Sequence, residues 1–210
     1  METGRQKSAF NLEIDIDKRV KEIMELFGDF TSGIRMLLLL QRTKDGGNAN
    51  DEEKRVFDSY ITFSTEEFKS KLKNLLILKH FQKVPTRIYV SANPRNLKKV
   101  IKYIELALVE AHYADDVCAK SVRTKLIRNP RHFLMQQANK DSSLFLLDLD
   151  DEDDKDIMGI ALQRIAELDI EEVMRYRTKN GWHIVVKPFN LELWQSVGEV
   201  KKDPLLLLDY

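Results

Sequence analysis

The sequence holds a single cysteine, Cys118, so no disulfide can form within the chain and no zinc site can be built on cysteine pairs. A reducing, cytoplasmic setting is expected. Long apolar runs are also missing. The longest, Met36–Leu40 and Leu205–Leu208, fall far short of the roughly 20 residues that cross a bilayer, so no membrane partner is expected. The opening Met-Glu-Thr-Gly-Arg-Gln-Lys leads into no apolar signal core, which argues against secretion. Five prolines and eight glycines in 210 residues exclude collagen-like and low-complexity chains. Hydrophobic residues still make up 43% of the chain, enough to bury the core of one sizeable domain or two small ones.

Net charge is absent too, with 34 basic residues against 34 acidic ones, but the two signs are segregated. Lys69 to Lys140 carries sixteen basic residues and four acidic ones. Asp141 to Glu172 carries twelve acidic residues and only Lys155 and Arg164 as bases. A basic block beside an acidic block suits a polyanion surface next to a cation site. It equally suits solvated helix faces whose charges cancel in three dimensions.

The hydrophobic pattern alternates between helical and extended periods, predicting an α+β fold. Ile16, Val20, Ile23, Met24 and Phe27 mark a helix over 14–27 that can form an N-terminal appendage. Strands are predicted over 34–42, 55–64, 86–92, 144–150 and 205–208, and a hairpin over 173–177 and 182–186 turning at Lys179-Asn180-Gly181. Gly46-Gly47-Asn48 marks a loop over 44–53. Ser64, with Glu67 three residues on, caps a helix running to about Lys83. Further helices are expected over 97–116, onward to Asn129, over 154–168, and briefly over 191–197. No repeat or linker appears. The chain divides into residues 1–54, a first helix and strand, and residues 55–210, the two forming one compact domain.

Three segments carry candidate chemistry. Along the strand Leu144–Asp150, alternation puts Asp148 and Asp150 on one face while Leu147 and Leu149 point into the core. Two carboxylates so placed can share hard cations such as Mg²⁺ or Mn²⁺, which keep positions open for phosphate oxygens. The bland alternative is a strand end leading into a helix whose first turn is acidic, and Glu152, Asp153, Asp154 and Asp156 fit that dipole role. In the hairpin, Trp182, Ile184 and Val186 share one face and His183 takes the other, beside a turn carrying Thr178 and Lys179. Cation, backbone N–H and imidazole can converge there on phosphate, or the segment is an ordinary Asn-Gly hairpin. The strand ending in Asn93-Pro94-Arg95 opens a basic helix. Arg95 can grip a phosphate bidentately, or the turn is a simple helix start.

An apolar strand ending in Asn-Pro-Arg, then one ending in Asp-x-Asp, then a strand carrying His resembles the archaeo-eukaryotic primase superfamily, including the primase-polymerases of phages and mobile elements. The likeness runs over roughly residues 55–210, with His183 following Asp150 by 33 residues. It implies an RRM-like mixed or antiparallel sheet flanked by helices, and template-directed nucleotidyl transfer with two divalent ions, Mg²⁺ or Mn²⁺. It implies Asp148, Asp150 and His183 as catalytic residues. Asp148 and Asp150 become metal ligands, His183 a triphosphate contact, and Arg95, Thr178 and Lys179 further substrate contacts. The serine usual before the histidine is absent, so Thr178 or Lys179 takes its place. The family's third acid falls best on Asp203, which precedes the last strand, and next on Asp209. Glu199 is read as lying in a turn after Gly198.

The implied partners are nucleoside triphosphates and a single-stranded or primed DNA template. Lys98, Lys99, Lys102, Arg123, Lys125 and Arg128 are the candidate nucleic-acid contacts. With no helicase segment in the sequence, processive work calls for a separate helicase. Two other functions accommodate the same residues: a non-catalytic nucleic-acid-binding accessory protein of a phage or mobile element, and a metal-dependent nuclease. His80, His112 and His132 lie in helical segments without metal-ligand spacing and read as structural or surface residues.

Overall fold

A computed structural model describes residues 3–41, 55–128, 131–136, 140–141, 143–151, 156–194 and 197–209. The elements run α1 (Thr3–Phe27), β1 (Arg35–Gln41), β2 (Arg55–Thr62), α2 (Thr65–His80), β3 (Thr86–Ser91), α3 (Leu97–Tyr113), α4 (Asp116–Arg128), α5 (Arg131–Leu134), β4 (Phe145–Asp150), α6 (Ile157–Glu167), β5 (Glu172–Arg177), β6 (Gly181–Val186), β7 (Glu199–Lys202) and β8 (Leu205–Asp209). The fold is α+β, but the strands form two four-stranded antiparallel sheets. The first has the order β2-β1-β3-β8 and the second β5-β6-β4-β7. No helix among the described residues is long and apolar enough to cross a membrane.

The first sheet buries one face by simple alternation. Leu37 and Leu39 of β1 stand opposite Val90 and Ile88 of β3, and all four are fully buried. They share a core cluster with Phe68, Leu72 and Leu75 of α2, and with Ile16, Ile23 and Phe27 of α1. Burial of each such side chain contributes about 1.5–3 kcal/mol of transfer free energy. The stripe predicted for the first helix is therefore a core stripe, and from Ile16 on α1 is part of the body rather than an appendage. Because β1 pairs with both β2 and β3, the expected division after residue 54 falls inside one sheet.

The second sheet has two differently used faces. Leu147 and Leu149 of β4 and Ile184 and Val186 of β6 pack against Ala161 and Ile165 of α6. Leu146, Val185 and Tyr176 turn the other way and join the cluster of the first sheet. Their neighbours on that face, Asp148 and His183, are thereby turned toward the first sheet.

Local signals explain most boundaries. Ser64 Oγ accepts the Glu67 N–H at 3.2 Å, capping α2, while the Glu67 carboxylate reaches one residue beyond the cap to the Phe63 N–H at 2.9 Å. Asn96 caps α3 through the Lys99 N–H, and Asp156 caps α6 through the Gly159 N–H. Asn129, Pro130, Glu152, Asp153, Asp154 and the loop expected over 44–53 lie outside the described residues. Two expectations are corrected. The helix predicted over 191–197 is a 3₁₀ turn, Leu191–Leu193, whose Trp194 indole donates to the Val197 carbonyl. The stretch after Gly198 is the strand β7, not a turn.

Candidate active site

Strand register brings the site together. Asp148 on β4 stands opposite His183 on β6 and, across the other edge of β4, opposite Glu199 on β7. His183 stands in turn opposite Tyr176 on β5. Cross-strand partners share a face, so one row runs Tyr176, His183, Asp148, Glu199 across the whole sheet. Lys201 lies in the adjacent row on one side, opposite Leu146, and Asp150 lies in the adjacent row on the other side, opposite Gly181.

The row is hydrogen-bonded from end to end. His183 Nδ1 is 2.8 Å from the Tyr176 hydroxyl, and His183 Nε2 donates to Asp148 Oδ1 at 3.0 Å. The Lys201 ammonium bonds Asp148 Oδ2 and lies 3.3 Å from Glu199. The His183 hydrogen bond, with that of Lys201 behind it, holds the Asp148 carboxyl well below the usual carboxylate range, against the opposing effect of burial. Burial by itself lowers the Lys201 ammonium, but its bond to Asp148 and the two nearby carboxylates outweigh burial and raise it. Asp148 is thus ionised and Lys201 charged at neutral pH.

This face opens into a cleft of about 880 Å³ between the sheets. Asp148, Asp150, Thr178, Lys179, His183 and Asp203 all line it, so nominated residues from the β4 strand, the hairpin and the turn before β8 meet there. Thr178 and Lys179 reach it because their turn is fixed at both ends. The Thr178 N–H donates to the Gly181 carbonyl at 2.9 Å, and the Asp151 N–H donates to the Asn180 carbonyl at 2.8 Å. Arg177 grips Asp151 with both terminal guanidinium nitrogens beside the turn. Gly181 is required by close approach, since a Cβ there would lie 1.9 Å from the Leu149 carbonyl oxygen. Gly198, at φ +66°, is required twice over, by that left-handed backbone and by a Cβ position 2.6 Å from the Asp148 carbonyl oxygen. The two glycines flank the end of β4 that carries both aspartates.

Arg95 is placed elsewhere. Its side chain is fully buried and bonds Asp203 Oδ2 at 2.7 Å through Nη2, while Nε and Nη1 meet no acceptor among the described residues. Asp203 Oδ1 accepts from Asn93 at 3.1 Å and lies 3.7 Å from Lys140. Asn93 in turn bonds both the N–H and the carbonyl of Leu144 at the entrance to β4. The Asn-Pro-Arg turn is therefore a knot fastening β3, β4 and the turn before β8. Arg35 lies in the same interior on the Ser91 and Ala92 carbonyls. Burial, and after it the Arg95 charge, pushes its guanidinium down to about 10. Asp203 lines the cleft but spends its carboxylate on this knot, and Asp209 spends its own on Arg19 and Lys79.

None of Lys98, Lys99, Lys102, Arg123, Lys125 and Arg128 lines the cleft; they stand exposed on α3 and α4, and Lys99 donates to the Lys140 carbonyl at 2.6 Å. Among the described residues, the Lys and Arg side chains at the cleft are Arg87, Lys179, Lys201 and Lys202. Arg87, Tyr89, Lys201 and Glu199 gain their places from pairing between distant strands, whereas Tyr176 is set opposite His183 by the β5–β6 hairpin. The one local signal for two of them is the i, i+2 spacing of Glu199 and Lys201 after Gly198.

Among the described residues, no three His, Cys, Asp or Glu side chains converge as a ready metal cage. Asp148 and Asp150 are nevertheless the donors a Mg²⁺ or Mn²⁺ site uses, one or two carboxylates with water and substrate phosphate supplying the rest. The ionised state of Asp148 fits that role, provided Lys201 withdraws from Oδ2. No protein-family model, no curated protein and no solved structure compared with this chain matches it.

Proposed function

We propose that this chain is a primase-like nucleotidyltransferase core that joins nucleotides on a DNA template, with Asp148 and Asp150 as the ligands of divalent metal. The observation that supports it most is the convergence of Asp148, Asp150, His183, Thr178 and Lys179 on one cleft. The order of the second sheet adds support: β4, α6, β5, β6 and β7 give β5-β6-β4-β7, the order of an RRM-like sheet, with the 3₁₀ turn where a second helix commonly lies.

In this reading a bound divalent ion supplies Lewis-acid stabilisation of the attacking 3′-oxygen and the leaving pyrophosphate. The chain's own groups do the rest. His183, itself held by Tyr176, orients Asp148 and with Lys201 keeps it ionised, so His183 serves first as a positioning residue. Lys201, Lys179 and Lys202 present ammonium groups to the triphosphate, and Thr178 adds a hydroxyl at the turn. Asp203 lines the cleft, is held by the buried Arg95, and takes no part in ligation. The exposed bases of α3 and α4 bind template backbone by counterion release.

One observation favours a second reading, a non-catalytic nucleic-acid-binding accessory protein: Lys201 already neutralises Asp148, so the carboxylate has a partner without any ion. The test is incorporation of radiolabelled nucleotide on a primed or unprimed single-stranded DNA template with Mn²⁺. The expected result is template-dependent incorporation, lost by at least 100-fold in Asp148→Asn and Asp150→Asn. Degradation of the template instead identifies a nuclease, and DNA binding with neither activity identifies the accessory protein.

A further inference from the structure

The two walls of the cleft differ in chemistry. The second sheet contributes the ionic row built on Asp148. The first sheet contributes Tyr89 and Arg87 of β3, with Leu40, Leu205 and Leu207 beside them. Tyr89 stands opposite Leu38 of β1 on one side and Leu207 of β8 on the other, so its ring is bracketed by leucines across three strands. Ile88 and Val90 on either side of it are fully buried in the opposite direction, which fixes the strand and the direction in which Tyr89 points. Tyr89 itself is only half-buried and reaches the cleft.

A wholly ionic ligand meets Arg87 but leaves Tyr89 and the three leucines of the first sheet unused. A ligand with a flat apolar part and a polyanionic tail uses both walls, and a cleft of this volume holds one. We infer that Tyr89 is the stacking seat for the base of the bound nucleotide, with the triphosphate directed across the cleft to Lys201 and Lys179. This rests on the nucleotidyltransferase reading and adds the direction in which the nucleotide lies. Stacking on an aromatic ring is tolerant of base identity, so Tyr89 contributes affinity and position rather than sequence choice.

The experiment compares the Mn²⁺-supported binding of two probes, ATP and inorganic tripolyphosphate, to the full chain by calorimetry. In the parent, ATP is expected to bind more tightly than tripolyphosphate. In Tyr89→Leu, ATP affinity is expected to fall about tenfold while tripolyphosphate affinity stays within twofold, and Tyr89→Phe is expected to keep both. Unchanged ATP affinity in Tyr89→Leu, or an equal loss for both probes, overturns the stacking role. Equal affinity of the parent for both probes overturns it as well and leaves the phosphate site standing. Binding of neither probe overturns the nucleotidyltransferase reading with it. A second measurement needs no variant: photolabelling of the parent with 8-azido-ATP is expected to mark the β3 peptide carrying Tyr89, and labelling confined to other peptides refutes the assignment.

Discussion

Replacing Gly181 with alanine tests how tightly the candidate site is built. An alanine Cβ at this position lies 1.9 Å from the Leu149 carbonyl oxygen and 2.9 Å from both the Leu149 carbonyl carbon and the Asp150 Cα. All three atoms are backbone of β4, so no side-chain rotation relieves the overlap. A carbon–oxygen contact is comfortable at about 3.3 Å, so β4 and β6 must part locally by roughly 1.4 Å. That movement breaks the Asp150–Gly181 pairing and strains the bonds from Asp151 to Asn180 and from Thr178 to Gly181. Overpacking costs about 1–3 kcal/mol, and two lost backbone hydrogen bonds add about 1 kcal/mol each. The sum, about 3–5 kcal/mol, corresponds to a fall of roughly 6–20 °C in Tm for a chain of this length. Gly28 is the control, since a Cβ there meets nothing within 4 Å and Gly28→Ala is expected to change stability by less than about 0.5 kcal/mol. Reversible denaturant unfolding of the three proteins, with thermal melts alongside, reads both numbers. The same shift moves Asp150 and the Thr178–Lys179 turn, and misplacement by about 1 Å costs on the order of 100-fold in rate, so any nucleotide incorporation falls further than the folded fraction does. A Gly181→Ala protein as stable as Gly28→Ala refutes the close approach and the rigidity argued from it.

Asp148, held below the usual carboxylate range first by His183, stabilises the folded state above the unfolded pKa of about 3.9, and that contribution disappears as pH falls toward the folded value. The stability gap between the parent and Asp148→Asn, about 1–3 kcal/mol at pH 7, is therefore expected to close below about pH 4; a gap constant from pH 7 to pH 2 in urea titrations contradicts the linkage. Asp203→Asn leaves the fully buried Arg95 guanidinium without its carboxylate and is expected to cost about 3–5 kcal/mol, whereas a stable variant that only lost metal affinity makes Asp203 a ligand after all. Lys98→Glu/Lys99→Glu is expected to weaken single-stranded DNA binding and to reduce the salt slope by roughly 1–2; equal affinity and slope move the nucleic-acid face off α3.

The sequence alone determined whatever depends on near neighbours. Period-two alternation places Asp148 and Asp150 on one face of a strand whatever that strand pairs with, and the same rule separates His183 from Trp182 and Ile184. The helix caps at Ser64 and the hairpin at Lys179-Asn180-Gly181 are likewise local, because a side chain or a turn satisfies backbone groups only a few residues away. Tertiary structure decided what depends on which strands lie side by side. Arg95 reads as a phosphate contact or part of a simple helix start because its turn opens a basic helix; only the meeting of β3 with the turn before β8 shows that its charge is taken by Asp203, 108 residues away. Glu199 reads as part of a turn, since the four residues between Gly198 and Asp203 carry a single apolar side chain, and with Lys201 it joins a strand only because β4 offers an unpaired edge. Tyr89 gave no signal beyond strand propensity. Its place in the cleft follows from the buried face of β3, which turns it toward the second sheet. Register across distant strands, set by burying the leucine faces of both sheets, is the physical step that no local pattern contains.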